Sequence, residues 1–313
     1  MYGDIKLYAG SACPELAQRV ADYIGIRLNR WTITTFPNEN IFIRLNSSVR
    51  GQDVYLIQTH DRPVHNNIME MLIAIDCFKR DSAGRVTVVV PYMSYSQSDK
   101  KDQPRVPITA RLLADMIEVA GADRWITIDL HAGQIQGFYK IPGDSLTALH
   151  IICEYIRKKN LDATVVTTDL GFAKGGRNYA AALGFSLAFV EKRRIGNEGG
   201  REALTLIGSV AGKDVLIVDD LVDTAGSVQQ AVEVVRAHGA RDIYLAFTHP
   251  VLSPPAIERL GDLGIKEIIT TDTLPVGPEK RLPNLTVLTV AELLGEVIMR
   301  SHEGRSVGEL FNE

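Results

Sequence analysis

Short apolar runs alternate with helical patterns along most of the chain. The runs are rich in β-branched residues, and amphipathic helical spacing follows them, as in residues 107–122 and 227–240. Continuous apolar strands separated by helices are typical of parallel sheets covered on both faces. The pattern therefore predicts an α/β protein with mainly parallel sheets flanked by helices. The apolar runs are residues 54–59, 85–92, 124–130, 163–169, 214–220, 243–249 and 267–273.

The order of these segments also repeats along the chain. The stretch GQDVYLIQT from residue 51 is similar to GKDVLIVDD from residue 212, and GADRWITID from residue 121 is similar to GIKEIITTD from residue 264. A chain of 313 residues is long enough for two domains. We therefore predict two similar domains, 1–146 and 147–313, with the last ~10 residues able to pack back on the first domain.

Composition and charge narrow the class of protein. The net charge of -4 offers no bulk reason to expect nucleic-acid or membrane binding. No apolar run is long enough to span a bilayer, and the N-terminus lacks the basic and apolar regions of a signal peptide. Cys13, Cys77 and Cys153 are far apart and form no CxxC pair, which disfavours a disulfide framework or a cysteine zinc site. We expect a cytoplasmic protein with reduced thiols.

The stretch VDDLVDTAGS, residues 218–227, combines acids with a turn of small residues. Asp219 and Asp220 end an apolar run, where open α/β sheets place ligands. Backbone amides in such a turn and at the following helix N-terminus can hold a phosphate, while the carboxylates accept hydrogen bonds from sugar hydroxyls or face a divalent cation. The stretch predicts a phosphorylated-sugar site; the alternative is an acid-rich turn that only caps a helix. The turn contains Asp223, Thr224, Ala225, Gly226 and Ser227.

This loop resembles the phosphoribosyl-pyrophosphate loop of type I phosphoribosyltransferases and of ribose-phosphate pyrophosphokinases. Residues 98–146, which include DLHAGQIQGF and IPGDSL, and EKRR at 191–194 extend the resemblance to the second family over nearly the full length. The resemblance implies two type I phosphoribosyltransferase-like domains. It also implies transfer of the diphosphoryl group of ATP to the 1-hydroxyl of ribose 5-phosphate, with Mg²⁺ required.

The resemblance assigns roles to residues on the sugar-phosphate side. Lys192 and Arg194 are the catalytic cations, at the end of an apolar run and before a glycine-rich stretch that could close over the reacting phosphates. Magnesium is expected at His131 and Asp169, with histidine contact through water or phosphate because histidine prefers softer metals. Ribose 5-phosphate is expected on Arg194, Asp219, Asp220, Asp223, Thr224, Ala225, Gly226 and Ser227.

The resemblance places ATP on two further stretches, FPNENIFIRL at 36–45 and YSQSDKKDQPR at 95–105. Phe36 would stack on the adenine base or line its pocket. Asn40 stands where many members carry an acid, and Gln97-Ser98 stands where an arginine followed by glutamine or serine is usual. Glutamine cannot supply the charge of arginine, so ATP binding or donor preference could change. The expected ATP-binding residues are Phe36, Asn38, Glu39, Asn40, Gln97, Ser98, Asp99, Lys101 and Asp102.

Two other functions stay open. The departure at Gln97 favours a catalytically weak regulatory homologue that assembles with an active enzyme. The loop at 218–227, which both families share, leaves open a phosphoribosyltransferase that consumes the product, although the DLHAGQIQGF segment speaks against it. The resemblance further implies a homo-oligomer, with dimers assembling to a hexamer, and regulation by phosphate or ADP. Ser48, Arg50 and Arg105 resemble part of that regulatory site, whereas Gly308 departs from the usual tail.

Overall fold

The structure is a computed structural model and describes residues 2–194 and 202–310. Of residues 192–194, 202, 203 and 309 it describes the backbone but not the side chains. The chain divides into two compact units. The first contains residues 1–147, 273–275 and 289–313, and the second contains residues 148–272 and 276–288.

The first unit is built on a five-stranded parallel sheet with strand order β1-β4-β5-β6-β7. An antiparallel hairpin, β2–β3, stands apart from this sheet and packs on α2. The strands are β1 Ile5–Ala9, β2 Trp31–Thr35, β3 Ile41–Leu45, β4 Asp53–Ile57, β5 Arg85–Val90, β6 Arg124–Ile128 and β7 Gly143–Leu146. The helices are α1 Pro14–Ile24, α2 Val64–Arg80 and α3 Thr109–Ala120, with a 3-10 helix at Gly133–Phe138.

The second unit is built on a seven-stranded sheet with strand order β10-β9-β8-β11-β12-β13-β14. All neighbours are parallel except β9 and β10. The strands are β8 Ala163–Thr167, β9 Ser186–Arg194, β10 Glu202–Ile207, β11 Asp214–Val222, β12 Ile243–Pro250, β13 Glu267–Thr271 and β14 Leu285–Leu288. The helices are α4 Leu149–Lys158, α5 Ala173–Leu183, α6 Gly226–Ala237 and α7 Ala256–Asp262, with a 3-10 helix at Pro278–Lys280.

The two sheets share one topology, because the order 1-4-5-6-7 in the first corresponds to 8-11-12-13-14 in the second. Each of the seven predicted apolar runs overlaps a strand. The central strands β4 and β11 are apolar because helices cover both faces; every residue of β4 is buried. The predicted class of two similar α/β domains with mainly parallel sheets is therefore confirmed.

The C-terminal segment belongs to the first unit, whereas the expected second domain ran to residue 313. Helix α8, Ala291–Glu303, buries Leu294, Val297 and Ile298 and packs along α1. Gly295 permits the close approach, since a Cβ there would lie 2.4 Å from the Tyr23 ring. A 3-10 helix, Gly308–Leu310, follows. None of the described helices is long and apolar enough to cross a membrane.

Candidate active site

Two neighbouring parallel strands of the second unit carry acids at their carboxyl ends. Strands β8 and β11 pair through Val218 and Thr167, so the residues that follow Thr167 lie beside the end of β11. The buried Thr168 hydroxyl donates to Asp219 Oδ2 at 2.5 Å. The structure thus brings together the segment that contains Asp169 and the acidic pair Asp219-Asp220.

The Asp219 carboxyl is held by the chain itself. Its Oδ1 accepts the backbone N–H of Asp220 at 2.9 Å, and its Oδ2 accepts Thr168. Burial raises the pKa of Asp219 well above the ordinary carboxylate value, and the negative charge of buried Asp220 raises it further. The Thr168 hydrogen bond acts in the opposite direction. Burial of two neighbouring carboxyls destabilises the folded state. Such pairs are found most often in clefts that bind ligands.

The turn from β11 into α6 combines a left-handed residue with a helix N-terminus. Ala225 has φ +60°, in the left-handed region, and its carbonyl accepts the first-turn N–H of Gln229 at 2.9 Å. Helix α6 begins at Gly226, so Gly226 and Ser227 lie at its N-terminus, where the helix dipole favours negative charge. Asp223 and Thr224 are exposed at the start of the turn.

At Gly226 a side-chain methyl could be added without a clash with the described residues. Its φ lies outside the left-handed region, and a Cβ would meet only Arg259 Nη1 at 3.6 Å and Thr224 Oγ1 at 3.9 Å, both ordinary contacts. Packing within the described chain therefore does not require glycine at this position. This position lies beside two hydrogen-bond donors, Arg259 Nη1 and Thr224 Oγ1. A small residue beside two donors suits the close approach of an anionic ligand.

Asp169 shapes the turn between β8 and α5. Its Oδ1 accepts the backbone N–H groups of Gly171 at 2.7 Å and Phe172 at 3.3 Å. No described residue bonds to Oδ2, so one oxygen of the kind that Mg²⁺ prefers can face a ligand. Across residues 2–194 and 202–310, no group of three or more His, Cys, Asp or Glu side chains could by itself hold a metal ion.

Lys192 and Arg194 belong to strand β9, which continues to Arg194 and does not end before these cations. In the register of β9 with β10, Lys192 lies opposite Leu204 and Arg194 opposite Glu202. The side chains of both residues, and residues 195–201 that follow them, lie outside what the structure describes. Their expected catalytic roles remain predictions.

The first predicted ATP stretch forms the tip of the β2–β3 hairpin. Phe36 is 46% exposed and lies 6.2 Å from Phe42, ring centre to ring centre. Asn38 Oδ1 accepts the backbone N–H of Asn40 at 3.3 Å, and Glu39 has φ +66°. Asn38 and Glu39 therefore shape the turn, and the hairpin presents two aromatic rings on an exposed surface.

The second predicted ATP stretch is the loop between β5 and α3. Ser98 faces inward, because its Oγ accepts the first-turn N–H of Thr109 at 3.2 Å and its carbonyl accepts that of Ala110 at 3.1 Å. Asp99 is also buried and accepts a hydrogen bond from Gln134. The two residues anchor the loop. Gln97, Lys101 and Asp102 are exposed.

His131 is exposed in the segment between β6 and the 3-10 helix at Gly133–Phe138. The bond between Gln134 and Asp99 joins this segment to the β5–α3 loop, so the predicted metal-site histidine and the predicted ATP loop belong to one connected region of the first unit. Of the expected regulatory residues, Ser48 Oγ accepts the N–H of Arg50 at 3.3 Å, and Arg50 pairs with Ala83 in an isolated bridge.

Sequence reasoning missed Thr168 and Arg259. Thr168 lies directly before the singled-out Asp169, so a polar residue at a strand end was an available signal. Arg259 Nη1 donates to the Thr224 carbonyl at 2.9 Å from helix α7, 35 residues away. No local pattern around Arg259 distinguishes it from a solvated helical arginine.

Comparison with known proteins identifies the family. Residues 5–121 match the N-terminal domain of ribose phosphate pyrophosphokinase, and residues 195–312 match the phosphoribosyl synthetase-associated domain. A ribose-phosphate pyrophosphokinase of Caldanaerobacter subterraneus subsp. tengcongensis is 45% identical, covering 98% of both chains. The chain belongs to the ribose-phosphate pyrophosphokinase family. The Bacillus subtilis ribose-phosphate pyrophosphokinase is 40% identical, over 99% of both chains.

A solved structure gives the same assignment. The crystal structure of phosphoribosylpyrophosphate synthetase from Mycobacterium smegmatis superposes with a TM-score of 0.92, at 41% identity, covering 96% of this chain and 100% of that one. Family membership makes the chain an enzyme of the transferase class, as predicted. The comparisons give no support to the regulatory-homologue or phosphoribosyltransferase alternatives.

Proposed function

We propose that this enzyme transfers the β,γ-diphosphoryl group of ATP to the 1-hydroxyl of ribose 5-phosphate, giving phosphoribosyl pyrophosphate and AMP. The observation that carries the proposal is the β11–α6 turn, where Asp219 and Asp220 lie next to a helix N-terminus with open space at Gly226. An acidic pair beside an anion site suits a ligand that has both hydroxyls and a phosphate.

On the sugar side, the turn amides and the N-terminus of α6 hold the 5-phosphate, and the carboxylates accept the ribose hydroxyls. The raised pKa of Asp219 supports this role, because sugar hydroxyls can donate further hydrogen bonds to the buried carboxylate, besides those from Thr168 and the Asp220 amide. No covalent intermediate is needed, since the sugar 1-hydroxyl attacks phosphorus directly. The residues assigned to ribose 5-phosphate are Arg194, Asp219, Asp220, Asp223, Thr224, Ala225, Gly226 and Ser227.

Transfer of a diphosphoryl group generally needs a divalent metal, and we assign Mg²⁺. Magnesium commonly binds proteins through one or two carboxylates and takes its remaining ligands from substrate phosphates and water. Asp169 fits that habit, because its Oδ1 accepts backbone amides while Oδ2 is a carboxylate oxygen to which no described residue bonds. His131 would contact the metal through water or phosphate. When bound, the metal neutralises charge on the phosphates.

The chain's own catalytic groups are Lys192 and Arg194. Negative charge accumulates on the equatorial oxygens around phosphorus during transfer, so preorganised cations lower the barrier by electrostatic stabilisation. A strand end followed by a glycine-rich segment, GNEGG at 196–200, is a suitable place for groups that close over a bound substrate. Arg194 has a guanidinium that can bind phosphate oxygens in bidentate fashion.

ATP is assigned to the first unit. Phe36 offers an exposed ring for the base, and Gln97, Lys101 and Asp102 offer exposed polar groups on the β5–α3 loop. Ser98 and Asp99 act by anchoring that loop. Asn38 and Glu39 shape the hairpin turn that carries Phe36 and Asn40.

We assign a homo-oligomer, in which dimers assemble to a hexamer. An exposed apolar groove of 510 Å³ between α2 and α3 supports association of copies. Val119 in this groove is 87% exposed, an unusual position for an aliphatic side chain of a monomer. We expect Val119→Lys to reduce the mass measured by light scattering, and Ile207→Lys, at an exposed strand residue outside the groove, to leave it unchanged. Equal masses for both variants would contradict the use of this groove.

The proposed location is the cytoplasm, where Cys13, Cys77 and Cys153, which form no disulfide in the structure, would stay reduced. The substrates are small molecules, and the assignment includes neither nucleic acid nor a membrane.

The deciding experiment follows AMP formation from ATP, Mg²⁺ and ribose 5-phosphate. We expect AMP only when ribose 5-phosphate is present, with 1-diphosphorylated ribose as the second product. Lys192→Ala should reduce kcat by at least about 100-fold, as loss of a transition-state donor does. Lys213→Ala, at an exposed lysine of the same unit, should retain full kcat. Folded protein that binds ribose 5-phosphate and forms no AMP would refute the proposal.

A further inference from the structure

The β11–α6 turn contains an unfavourable backbone conformation that something must maintain. Ala225 has φ +60° and ψ +16°, a left-handed conformation in which its Cβ crowds the backbone. Glycine usually occupies such positions, yet here glycine comes one residue later, at Gly226. A non-glycine residue remains in this region only where its surroundings hold it there.

Arg259 is the side chain placed to hold it. Its Nη1 donates to the Thr224 carbonyl at 2.9 Å. Helix α7, which carries Arg259, is fixed close to the loop, because the N–H of Leu252 donates to the Val222 carbonyl at 2.9 Å just before that helix. Leu252, Ala225 and Ala256 also belong to one buried apolar cluster.

The hydrogen bond sets the direction of a backbone amide. In a trans peptide the C=O and N–H point to opposite sides, so fixing the Thr224 carbonyl towards Arg259 fixes the Ala225 N–H away from it. Rotation of this peptide would instead direct a carbonyl, with its partial negative charge, into the place where the amides face an anion. The conformation at Ala225 and the hydrogen bond from Arg259 thus act on one peptide unit.

We propose that Arg259 is a positioning residue for the ribose 5-phosphate site: by holding the Thr224 carbonyl, it keeps the 223–227 turn in the form whose amides bind the phosphate. Its guanidinium acts through the loop and not by contact with the reacting atoms. The inference rests on the proposed function and deepens it, since it assigns the preorganisation of the phosphate loop to a side chain outside the loop.

The test is a double-mutant cycle between Arg259→Gln and Ala225→Gly, with binding of ribose 5-phosphate measured by calorimetry in the absence of ATP. Loss of a charged hydrogen bond should weaken this binding about tenfold in the Ala225 background. Glycine adopts the left-handed conformation without strain, so in the Ala225→Gly background the same change should weaken binding less than about threefold. In steady-state assays KM for ribose 5-phosphate should rise, and KM for ATP should stay within about twofold.

Arg236→Gln is the matched control. Arg236 also donates to backbone carbonyls of the second unit, those of Leu263 and Gly264, away from the loop, and its loss should change neither KM. Arg259→Lys, which keeps the charge without the guanidinium geometry, takes the place of the Gln variant if that variant does not fold.

Two results would overturn the inference. Equal weakening in both backgrounds would mean that Arg259 acts through its charge or by direct contact with phosphate, and unchanged binding in Arg259→Gln would mean that the loop keeps its form unaided. Wild-type protein that binds no ribose 5-phosphate would overturn the proposed function, and this inference with it.

Discussion

The loops after β4 and after β11 occupy the same place in the two repeats and differ in what fills them. Gln58 follows β4 at the position that Asp219 takes in β11, and Thr59 corresponds to Asp220. In the first unit both side chains are fully buried. In the second unit the equivalent positions hold two carboxylates near the end of β11, just before the turn that begins at Asp223.

In the first unit, hydrogen bonds within the protein satisfy the polar side chain that follows β4. Gln58 Oε1 accepts the N–H of Ala12 at 3.1 Å, and its Nε2 donates to Glu70 at 3.0 Å and to the Asn67 carbonyl at 3.3 Å. Gly10 is required there, because a Cβ would lie 2.1 Å from the Gln58 amide oxygen. The space that a ligand could use is therefore taken by a side chain.

In the second unit two carboxylates take these positions, burial raises the pKa of Asp219, and a Cβ at Gly226 in the following turn would meet no described atom closer than 3.6 Å. The difference shows how one topology supports a structural copy and a ligand-binding copy. The strand order fixes where polar groups converge, and the residues at the strand ends decide whether the chain or a ligand satisfies them.

The first and largest test uses a second matched pair, Asp53 and Asp214, at the first residue of the central strand in each repeat. Asp53 is fully buried and accepts Arg85 Nε at 2.7 Å and Nη2 at 2.6 Å, besides the Tyr55 hydroxyl. Asp214 pairs at 3.0 Å with Arg241, whose side chain is 63% exposed. Asp53→Asn should lower the free energy of unfolding by about 3 kcal/mol, because it removes the buried counter-ion of Arg85, whose side chain is only 14% exposed.

Asp214→Asn should lower the free energy of unfolding by less than about 1 kcal/mol, since water screens the exposed pair. Urea unfolding measures both changes. Trp31 and Trp125 lie in the first unit, so fluorescence follows that unit and circular dichroism follows the whole chain. Equal losses for the two variants would show that burial of the pair does not distinguish the repeats.

A second test places a carboxylate after β4, as the second unit has at the equivalent position in β11. Gln58→Glu replaces the donor that faces Glu70 with a carboxylate, which should lower the free energy of unfolding by about 2 kcal/mol at pH 8. Like-charge repulsion and burial raise the carboxyl pKa in the folded state. Stability is therefore retained below the unfolded carboxyl pKa, near 4.3, and lost as the pH rises through the folded value.

Gln18→Glu is the control for this pH dependence. Gln18 donates to Asp22 at 2.8 Å on the exposed face of α1, so the same substitution there should cost at most about 0.5 kcal/mol between pH 4 and 8. A loss for Gln58→Glu that does not depend on pH between 4 and 8 would point to a packing defect and not to charge.

The regular parts of this architecture could be predicted from the sequence, because local patterns determine them. The seven apolar runs and the VDDLVDTAGS turn have signals within about ten residues, the range over which periodicity and turn chemistry act. The exposed β2–β3 hairpin and the short strand β7 were not predicted, since they lack the long apolar run that identifies a central strand.

Contacts between distant segments could not be predicted. The bond from Thr168 to Asp219 joins residues 51 positions apart, and it exists because β8 and β11 are neighbours in the sheet. Ser98 was expected to face a ligand, yet its hydroxyl and carbonyl cap the amides at the start of α3. The C-terminal helix joins the first unit because its apolar face fits α1, a match that no single segment reveals.

A third test separates stability from binding at the acidic pair. The raised pKa of Asp219 means that its charge destabilises the folded state above the ordinary carboxyl pKa. Asp219→Asn should therefore raise the free energy of unfolding by about 1 kcal/mol at pH 7 while weakening ribose 5-phosphate binding. The gain should shrink as the pH falls below the unfolded carboxyl pKa, where wild type is protonated in both states.

Thermal unfolding from pH 3.5 to 8 and calorimetry with ribose 5-phosphate measure the two effects of Asp219→Asn. Asp162→Asn, at an exposed acid of the same unit, should alter neither. Lower stability of Asp219→Asn at pH 7 would mean that the bonds from Thr168 and from the Asp220 amide outweigh the burial of the charge.

The smallest expected effect belongs to Thr168. Thr168→Val keeps the shape of the side chain and removes the donor to Asp219 Oδ2, so the carboxyl loses one of the two bonds that orient it. A hydrogen-bond contribution of about 1 kcal/mol corresponds to roughly a fivefold rise in KM for ribose 5-phosphate, with KM for ATP unchanged. Thr168→Ser, which keeps the hydroxyl, should restore most of the affinity.

Thr164 supplies the matched control on the same strand. Its hydroxyl bonds to Ser186 at 2.8 Å, near the start of β8, so Thr164→Val loses a comparable hydrogen bond far from the acids. If Thr164→Val and Thr168→Val raise KM for ribose 5-phosphate equally, the effect reflects loosening of β8. If only Thr168→Val raises KM, and Thr168→Ser restores it, then Asp219 in β11 depends on the Thr168 hydroxyl, which follows the neighbouring strand β8, for its orientation. In the first unit Gln58 takes the position of Asp219 and is oriented by its own hydrogen bonds.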